Sequence, residues 1–203
     1  MTNFKTFRLP EVIDIESIKQ NQVVFLTGSS RSGTTLLSNL LGVHSKVISC
    51  PENGFILTHF SKFKSKIGFN KQQVNSFVNH LWIRKRLMKS VWNLDSNQLT
   101  TQLTEHREKL TFELACKLVY QNYAPEKAVE IYIDKNPSHI NFLHPLNGAF
   151  NQPKFIVIVR DYRDRYVSLV KLKKKSKLKM LRLRGNSWKR HQKNAIAFQK
   201  RFP

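Results

Sequence analysis

Gln22-Val23-Val24-Phe25-Leu26-Thr27-Gly28-Ser29-Ser30-Arg31-Ser32-Gly33-Thr34-Thr35-Leu36-Leu37 is the stretch from which the fold is read. The apolar run Val23 to Leu26 reads as a buried strand, and Gly28 and Gly33 frame a turn after it. Leu36, Leu37, Leu40 and Leu41 then recur at helical spacing, with Gly42 as the stop. A strand, a glycine turn and a helix N-terminus make an anion cradle, because backbone N–H groups and the positive end of the helix dipole converge there. An ATP or GTP loop carries lysine where this chain has Thr34, which argues against a kinase or ATPase. The fixed positive charge moves instead to Arg31, inside the loop. Taken alone, the segment is also compatible with an ordinary glycine turn in an α/β sheet.

Further along, Val47 to Ser49 is a short second strand candidate, closed by the loop Pro51-Glu52-Asn53-Gly54. A helix is expected with Val74, Phe77, Val78, Leu81 and Trp82 on one face, and another around Glu105 to Tyr123 carrying Leu110, Leu114 and Leu118. Trp82 and Trp92 read as core. Two more apolar runs follow: Val129 to Ile133, leading into Asp134-Lys135-Asn136-Pro137, and Phe155 to Val159, leading into Arg160-Asp161. Strands alternating with helices imply a three-layer α/β fold, a central parallel sheet flanked by helices, of the P-loop-like kind. Ligands gather at the carboxyl ends of such strands, so residues 28–35, Glu52, Lys135 and the segment from Arg160 onward are expected at one edge.

At 203 residues, 40% apolar and 24% charged, the chain is read as one domain, residues 1–203, with its core in 22–170 and a basic helical tail in 171–203. That tail holds 13 of the 35 Lys and Arg and no acidic residue, which skews the net charge of +22. Such an excess attracts polyanions without defining a fold or a specificity. The Lys-rich stretch from Lys171 to Arg184 is the one compositional break. No apolar run is long enough to span a bilayer and residues 1–20 hold no export signal, from which a cytoplasmic location is expected. Cys50 and Cys116 are far apart with no metal-ligand spacing, so buried thiols are expected and no metal site.

In Arg160-Asp161-Tyr162-Arg163-Asp164-Arg165-Tyr166-Val167-Ser168, an arginine at a strand end precedes a serine on the next helix, two donors suited to a second phosphate. With the first loop, this resembles the sulfotransferases that use 3′-phosphoadenosine 5′-phosphosulfate (PAPS). The resemblance implies that Arg31, Ser32, Gly33, Thr34 and Thr35 bind the 5′-phosphosulfate, and that Arg160 and Ser168 bind the 3′-phosphate. The likeness is to the branch that includes tyrosylprotein sulfotransferases, in which a loop glutamate is the base and a lysine of a Lys-x-Pro segment contacts the transferring group. Glu52 and Lys135 fall at those places, giving Glu52, Lys135 and Arg31 as the catalytic set. The match runs from Val23 to about Val170, with a fainter echo in Trp188 and Asn194. Tyr162 departs from the proline or glycine of many members. Relatives continue past the equivalent of Pro203 through another strand, so a C-terminally truncated member is expected.

The acceptor implied is a hydroxyl or amine on a glycan, phenol or peptide, and no specific nucleic acid partner is expected. His44 is an alternative base, though its place past Gly42 suits capping or solvent; His139 and His144 read as structural. The competing function is a binding protein: an inactive truncation that holds PAPS or its desulfated product PAP, or a basic polyanion-binding module.

Overall fold

The computed structural model describes residues 14–64, 67–82, 91–172 and 177–202; expectations for residues 1–13 and for the lysines at 173–175 lie outside the described residues. Asp14 opens the described chain by capping α1 (Ile15–Gln20), its carboxylate accepting the N–H groups of Glu16 and Ser17. Strand β1 (Gln22–Gly28) follows, then α2 (Thr34–Gly42), β2 (Val47–Cys50) and α3 (Phe55–Phe63). Asn70 and Gln73 form a reciprocal capping box at the start of α4 (Lys71–Leu81), which buries Val74, Phe77, Val78 and Leu81 as its spacing predicts.

The helix expected around Glu105 to Tyr123 is instead two helices. Asp95 caps α5 (Ser96–Glu105), a 3-10 turn covers Arg107–Lys109, and Thr111 caps α6 (Phe112–Tyr123) by accepting the Leu114 N–H at 3.1 Å. Leu110 lies outside either helix yet is fully buried. A threonine able to cap from its side chain competes with helix continuation, and here it sets the start of α6.

Strand β3 (Ile131–Lys135), a 3-10 turn (Pro137–Asn141), α7 (Leu143–Ala149), β4 (Lys154–Ile158), α8 (Tyr162–Leu172) and α9 (Lys177–Arg201) complete the chain. The four strands form one parallel sheet in the order β2-β3-β1-β4. β3 begins two residues later than its apolar run, so Asp134 and Lys135 belong to the strand. Val159, expected in β4, lies just beyond it and is exposed.

β1 alternates between two cores. Val23 and Phe25 face the larger one, with α3 to α6, where Phe25 meets His139 and Phe150 edge-on at ring-centroid distances of 5.3 and 5.0 Å. Val24 and Leu26 face α2, packing with Ile133, Val47, Leu37 and Leu41. Only half of the α2 leucines serve this contact: Leu36 and Leu40 are 66% and 62% exposed, while Ser38, not a leucine, is buried on Ser49. Gly42 lets α2 approach β2, since a Cβ there would stand 2.9 Å from the Ser49 Cβ. Both sheet faces are thus covered, which gives the three layers, and β1 lies between β3 and β4 where the order of connection reverses.

Candidate active site

The register fixes which side chains meet at the carboxyl edge. Leu26 of β1 is level with Lys135 of β3 and with Ile156 of β4, and Gly28 is level with Ile158. The loop after β1, the end of β3 and Arg160 therefore emerge side by side.

The first loop turns sharply through three residues at positive φ: Gly28 at 152°, Arg31 at 72° and Gly33 at 103°. At Gly28 a Cβ would lie 2.5 Å from the Ile158 carbonyl oxygen, so only glycine fits between β1 and β4. Gly33 caps α2 without a side chain and faces open space, leaving the helix N-terminus uncovered for an anion. Ser32 Oγ is buried and makes no hydrogen bond among the described residues, an orphan beside that opening. Thr34 is buried, whereas Thr35 is exposed.

Arg31, Arg160 and Ser168 come together. The Arg31 Nε donates to Ser168 Oγ at 3.0 Å, and Arg160 Nη1 donates to the Arg31 carbonyl at 3.3 Å. The Arg31 side chain thus reaches from the glycine loop to Ser168 on α8. Trp188 of α9 donates its indole N–H to the Arg160 carbonyl at 3.0 Å, which buttresses the strand end. Tyr162, the departure from proline or glycine, packs near Trp188 at 5.9 Å between ring centroids. Asp161 pairs with Arg163, whose guanidinium and backbone N–H hold its carboxyl down at about 2, while Arg160 points elsewhere.

Across the edge, Lys135 Nζ donates to Glu52 Oε2 at 2.7 Å, with the lysine side chain 8% and the glutamate 53% exposed. Asn136 builds this pairing. Its backbone N–H donates to the Leu26 carbonyl (3.1 Å), its amide Nδ2 to the Asn53 carbonyl (3.1 Å), and its own carbonyl accepts from Thr27 Oγ1 (2.9 Å). One buried residue thus pins the Glu52 loop to the ends of β1 and β3. Behind Lys135, the buried Asp134 accepts from Tyr120 Oη at 2.7 Å and bonds His139 Nε2 at 2.9 Å. His139 is accordingly structural. His144 packs against Phe198 and Phe202. His44 lies at the opposite edge of the sheet, exposed and accepting the Lys46 N–H at 3.1 Å, remote from the anion loop.

Three contributors were not singled out from the sequence. Arg165 is 1% exposed and donates from Nε to the Ser30 carbonyl at 2.8 Å. His191 of α9 bonds Ser29 Oγ through Nδ1 at 2.9 Å. Asn136 is the third. Arg165 hides in a run of charged residues that reads as a solvated face, and His191 lies three residues after Trp188, one helical turn along, which is the signal that could have found it. Among the described residues no cluster of His, Cys, Asp and Glu could hold a metal ion, and no helix is long and apolar enough to cross a membrane.

This edge brings together a glycine loop, three arginines and a lysine–glutamate couple at the carboxyl end of a parallel sheet. The profile of the Sulfotransferase family matches residues 23–203, and the chain belongs to that family. Among solved structures it is similar to the sulfotransferase domain from the curacin biosynthetic pathway, at 22% identity and a TM-score of 0.51, over 90% of this chain and 64% of that one. It is also similar to the sulfotransferase domain of the Synechococcus PCC 7002 olefin synthase, at 19% identity and a TM-score of 0.56, over 98% of this chain and 67% of that one. These likenesses show the shared fold, and this chain spans about two thirds of the length of those domains. A comparison with curated proteins finds no match.

Proposed function

We propose that the chain is a PAPS-dependent sulfotransferase that moves a sulfuryl group to a hydroxyl or amine acceptor, in the manner of the branch resembling tyrosylprotein sulfotransferases. The observation that carries this reading is the Lys135–Glu52 contact of 2.7 Å, set on the same sheet edge as the Arg31, Arg160 and Ser168 cluster. Two anion-binding elements suit a nucleotide with phosphates at both ends, and a carboxylate beside them suits proton removal.

In the proposed reaction the acceptor oxygen or nitrogen forms a bond to sulfur as the bond from sulfur to the 5′-phosphate oxygen breaks. The leaving oxygen keeps the electron pair, PAP departs, and the acceptor proton passes to Glu52. With Oε2 engaged by Lys135, Oε1 is the oxygen left for that proton, which sets the acceptor beside the lysine. Arg31, Lys135 and the loop amides then face charge that builds on the sulfuryl and leaving oxygens, and stabilising it is the main catalytic contribution expected of such a site. Ser32, Gly33, Thr34 and Thr35 surround the 5′ end, and Arg160 with Ser168 takes the 3′-phosphate. Glycans, phenols and peptides are the acceptor classes.

Titration calorimetry with PAP, ATP and a single-stranded oligonucleotide tests the reading. Selective PAP binding that survives moderate salt is the expected result. Tight oligonucleotide binding that weakens steeply with salt, without PAP affinity, would replace the enzyme by a polyanion-binding module.

A further inference from the structure

Loop 28–33 holds a backbone shape that its own residues do not favour. Arg31 is a non-glycine residue at a φ of 72°, in a loop bounded by Gly28 at 152° and Gly33 at 103°. Such a conformation persists only where surrounding groups over-determine it. The loop supplies a bond of its own, from the Ser32 N–H to the Ser29 carbonyl at 3.1 Å. Further ties come from two helices distant in sequence.

From α8, Arg165 reaches the Ser30 carbonyl at 2.8 Å while remaining 1% exposed. A trans peptide is planar, with its C=O and N–H pointing in opposite directions. Fixing the Ser30 carbonyl on a buried guanidinium therefore turns the Arg31 N–H the other way, towards the exposed side of the loop. From α9, His191 grips the Ser29 hydroxyl at 2.9 Å through Nδ1, with Ser187 Oγ 3.4 Å from Nε2. Both partners are hydroxyls that can donate or accept, so either neutral tautomer is satisfied. Burial, then Arg190 and Arg165, push the His191 pKa down and favour that neutral form. The same helix bonds the Arg160 carbonyl through Trp188 and the Ile140 carbonyl through Asn194, so one face of α9 ties down the segments that follow β1, β3 and β4.

We propose that Arg165 and His191 are positioning residues that hold the anion loop in its binding shape from the protein side, Arg165 by orienting the Ser30–Arg31 peptide and His191 by anchoring Ser29. The inference rests on the reading of this loop as the seat of the 5′-phosphosulfate. Arg165 adds a fixed positive charge behind the loop that no sequence pattern required.

The test compares wild type with Arg165→Met, His191→Leu and His191→Asn, the last placing an amide atom close to where Nδ1 lies. Hydrogen exchange is followed by mass spectrometry on peptides covering 28–36, and PAP affinity by calorimetry. Arg165→Met and His191→Leu are expected to speed exchange in that segment, with the rest of the chain unchanged, and to weaken PAP by about tenfold, the scale of one lost hydrogen bond to a charged or strained site. His191→Asn is expected to restore both, which a role in bulk packing would not give. Unchanged loop exchange in a folded Arg165→Met or His191→Leu protein, or equal loss in His191→Leu and His191→Asn, overturns the proposal. His191→Leu and His191→Asn keep the side chain close in size, so the His191 variants decide the matter even where Arg165→Met does not fold. Absence of PAP binding by wild type would instead refute the donor reading, and the exchange data would still decide whether these residues hold the loop.

Discussion

Replacing Glu52 by glutamine separates the proposed chemistry from the scaffold. The change keeps volume and one acceptor oxygen but removes the charge opposite Lys135. The ammonium is 8% exposed and has little water to replace its partner, whereas the carboxylate is 53% exposed and already solvated on one side. Exposed pairs contribute about 0–1 kcal/mol, and stripping a partner from a fully buried pair costs about 3–5 kcal/mol. A pair with one buried member, in which the amide oxygen of the substituted side chain would still accept a weaker bond, falls between, at about 1–2 kcal/mol. For a chain of this size that lowers the unfolding midpoint by roughly 2–8 °C, leaving the protein folded at assay temperature. Loss of a general base costs a factor of about 10²–10⁴ in turnover. PAP affinity should stay within about threefold, because in the proposed reaction the carboxylate serves the acceptor and not a phosphate. Sulfuryl transfer to an acceptor panel, with PAP calorimetry and thermal melts alongside, measures all three. Turnover of Glu52→Gln within about tenfold of wild type would remove Glu52 from the mechanism.

Arg160→Ala and Ser168→Ala should each weaken PAP binding, by about 10- to 100-fold for the arginine on the scale of a charge-assisted hydrogen bond and less for the serine; calorimetry that finds no change in Arg160→Ala removes that residue from the 3′-phosphate site. His59 is buried with both ring nitrogens at backbone carbonyls, Phe55 at 2.8 Å and Phe77 at 3.0 Å, yet burial outweighs those bonds and pushes its pKa below the ordinary value. The unfolded chain therefore binds more protons just below about pH 6.5, so stability is complete above that value and falls as pH drops through the folded pKa. Thermal melts should show a lower midpoint at acid pH and a shallower dependence in His59→Gln; an equal slope in both proteins would refute the assignment. Gly28→Ala should lower the yield of folded protein or the unfolding midpoint, because its Cβ would collide with the Ile158 carbonyl at 2.5 Å, and a midpoint equal to wild type would show that β1 and β4 can part without cost.

The parallel sheet was legible because each strand carries β-branched or aromatic residues, buried in β1 to β3 and partly buried in β4, and because a polar cluster follows each run. What misled was local competition. Thr111 divides a stretch whose leucine spacing alone reads as one helix, since Leu110 is buried by packing and not by helical phase. Leu36 and Leu40 repeat at helical spacing but stay exposed, while Ser38 takes the buried position. Periodicity reports a face and not what covers it. Within the candidate site, Arg31, Glu52, Lys135, Arg160 and Ser168 could be singled out from motif spacing, whereas Asn136, Arg165 and His191 make their contacts with distant segments. Such contacts leave no local pattern, because any donor brought there by the fold could serve.

The threonine at position 34 makes sense once the positive charge around the loop is traced. A lysine in the usual place would rise from the first turn of α2 and reach one phosphate. Here Arg31 projects from a left-handed turn and its guanidinium reaches Ser168 on α8, so a single side chain joins the two elements proposed to bind anions. Arg165 stands beneath the same turn, and Arg160 grips its carbonyl. Three guanidinium groups thus gather around the loop, carried by the loop itself, the end of β4 and α8. Lys135, by contrast, donates to Glu52. In the proposed reaction the edge thus divides into an arginine side for the bound nucleotide and a Glu52 side for the acceptor proton, with Lys135 beside Glu52 facing the sulfuryl group. A variant that moved charge between them, such as Glu52→Lys, would abolish the division while keeping the sheet; retention of both PAP affinity and turnover in that protein would show that the two sides do not have separate roles.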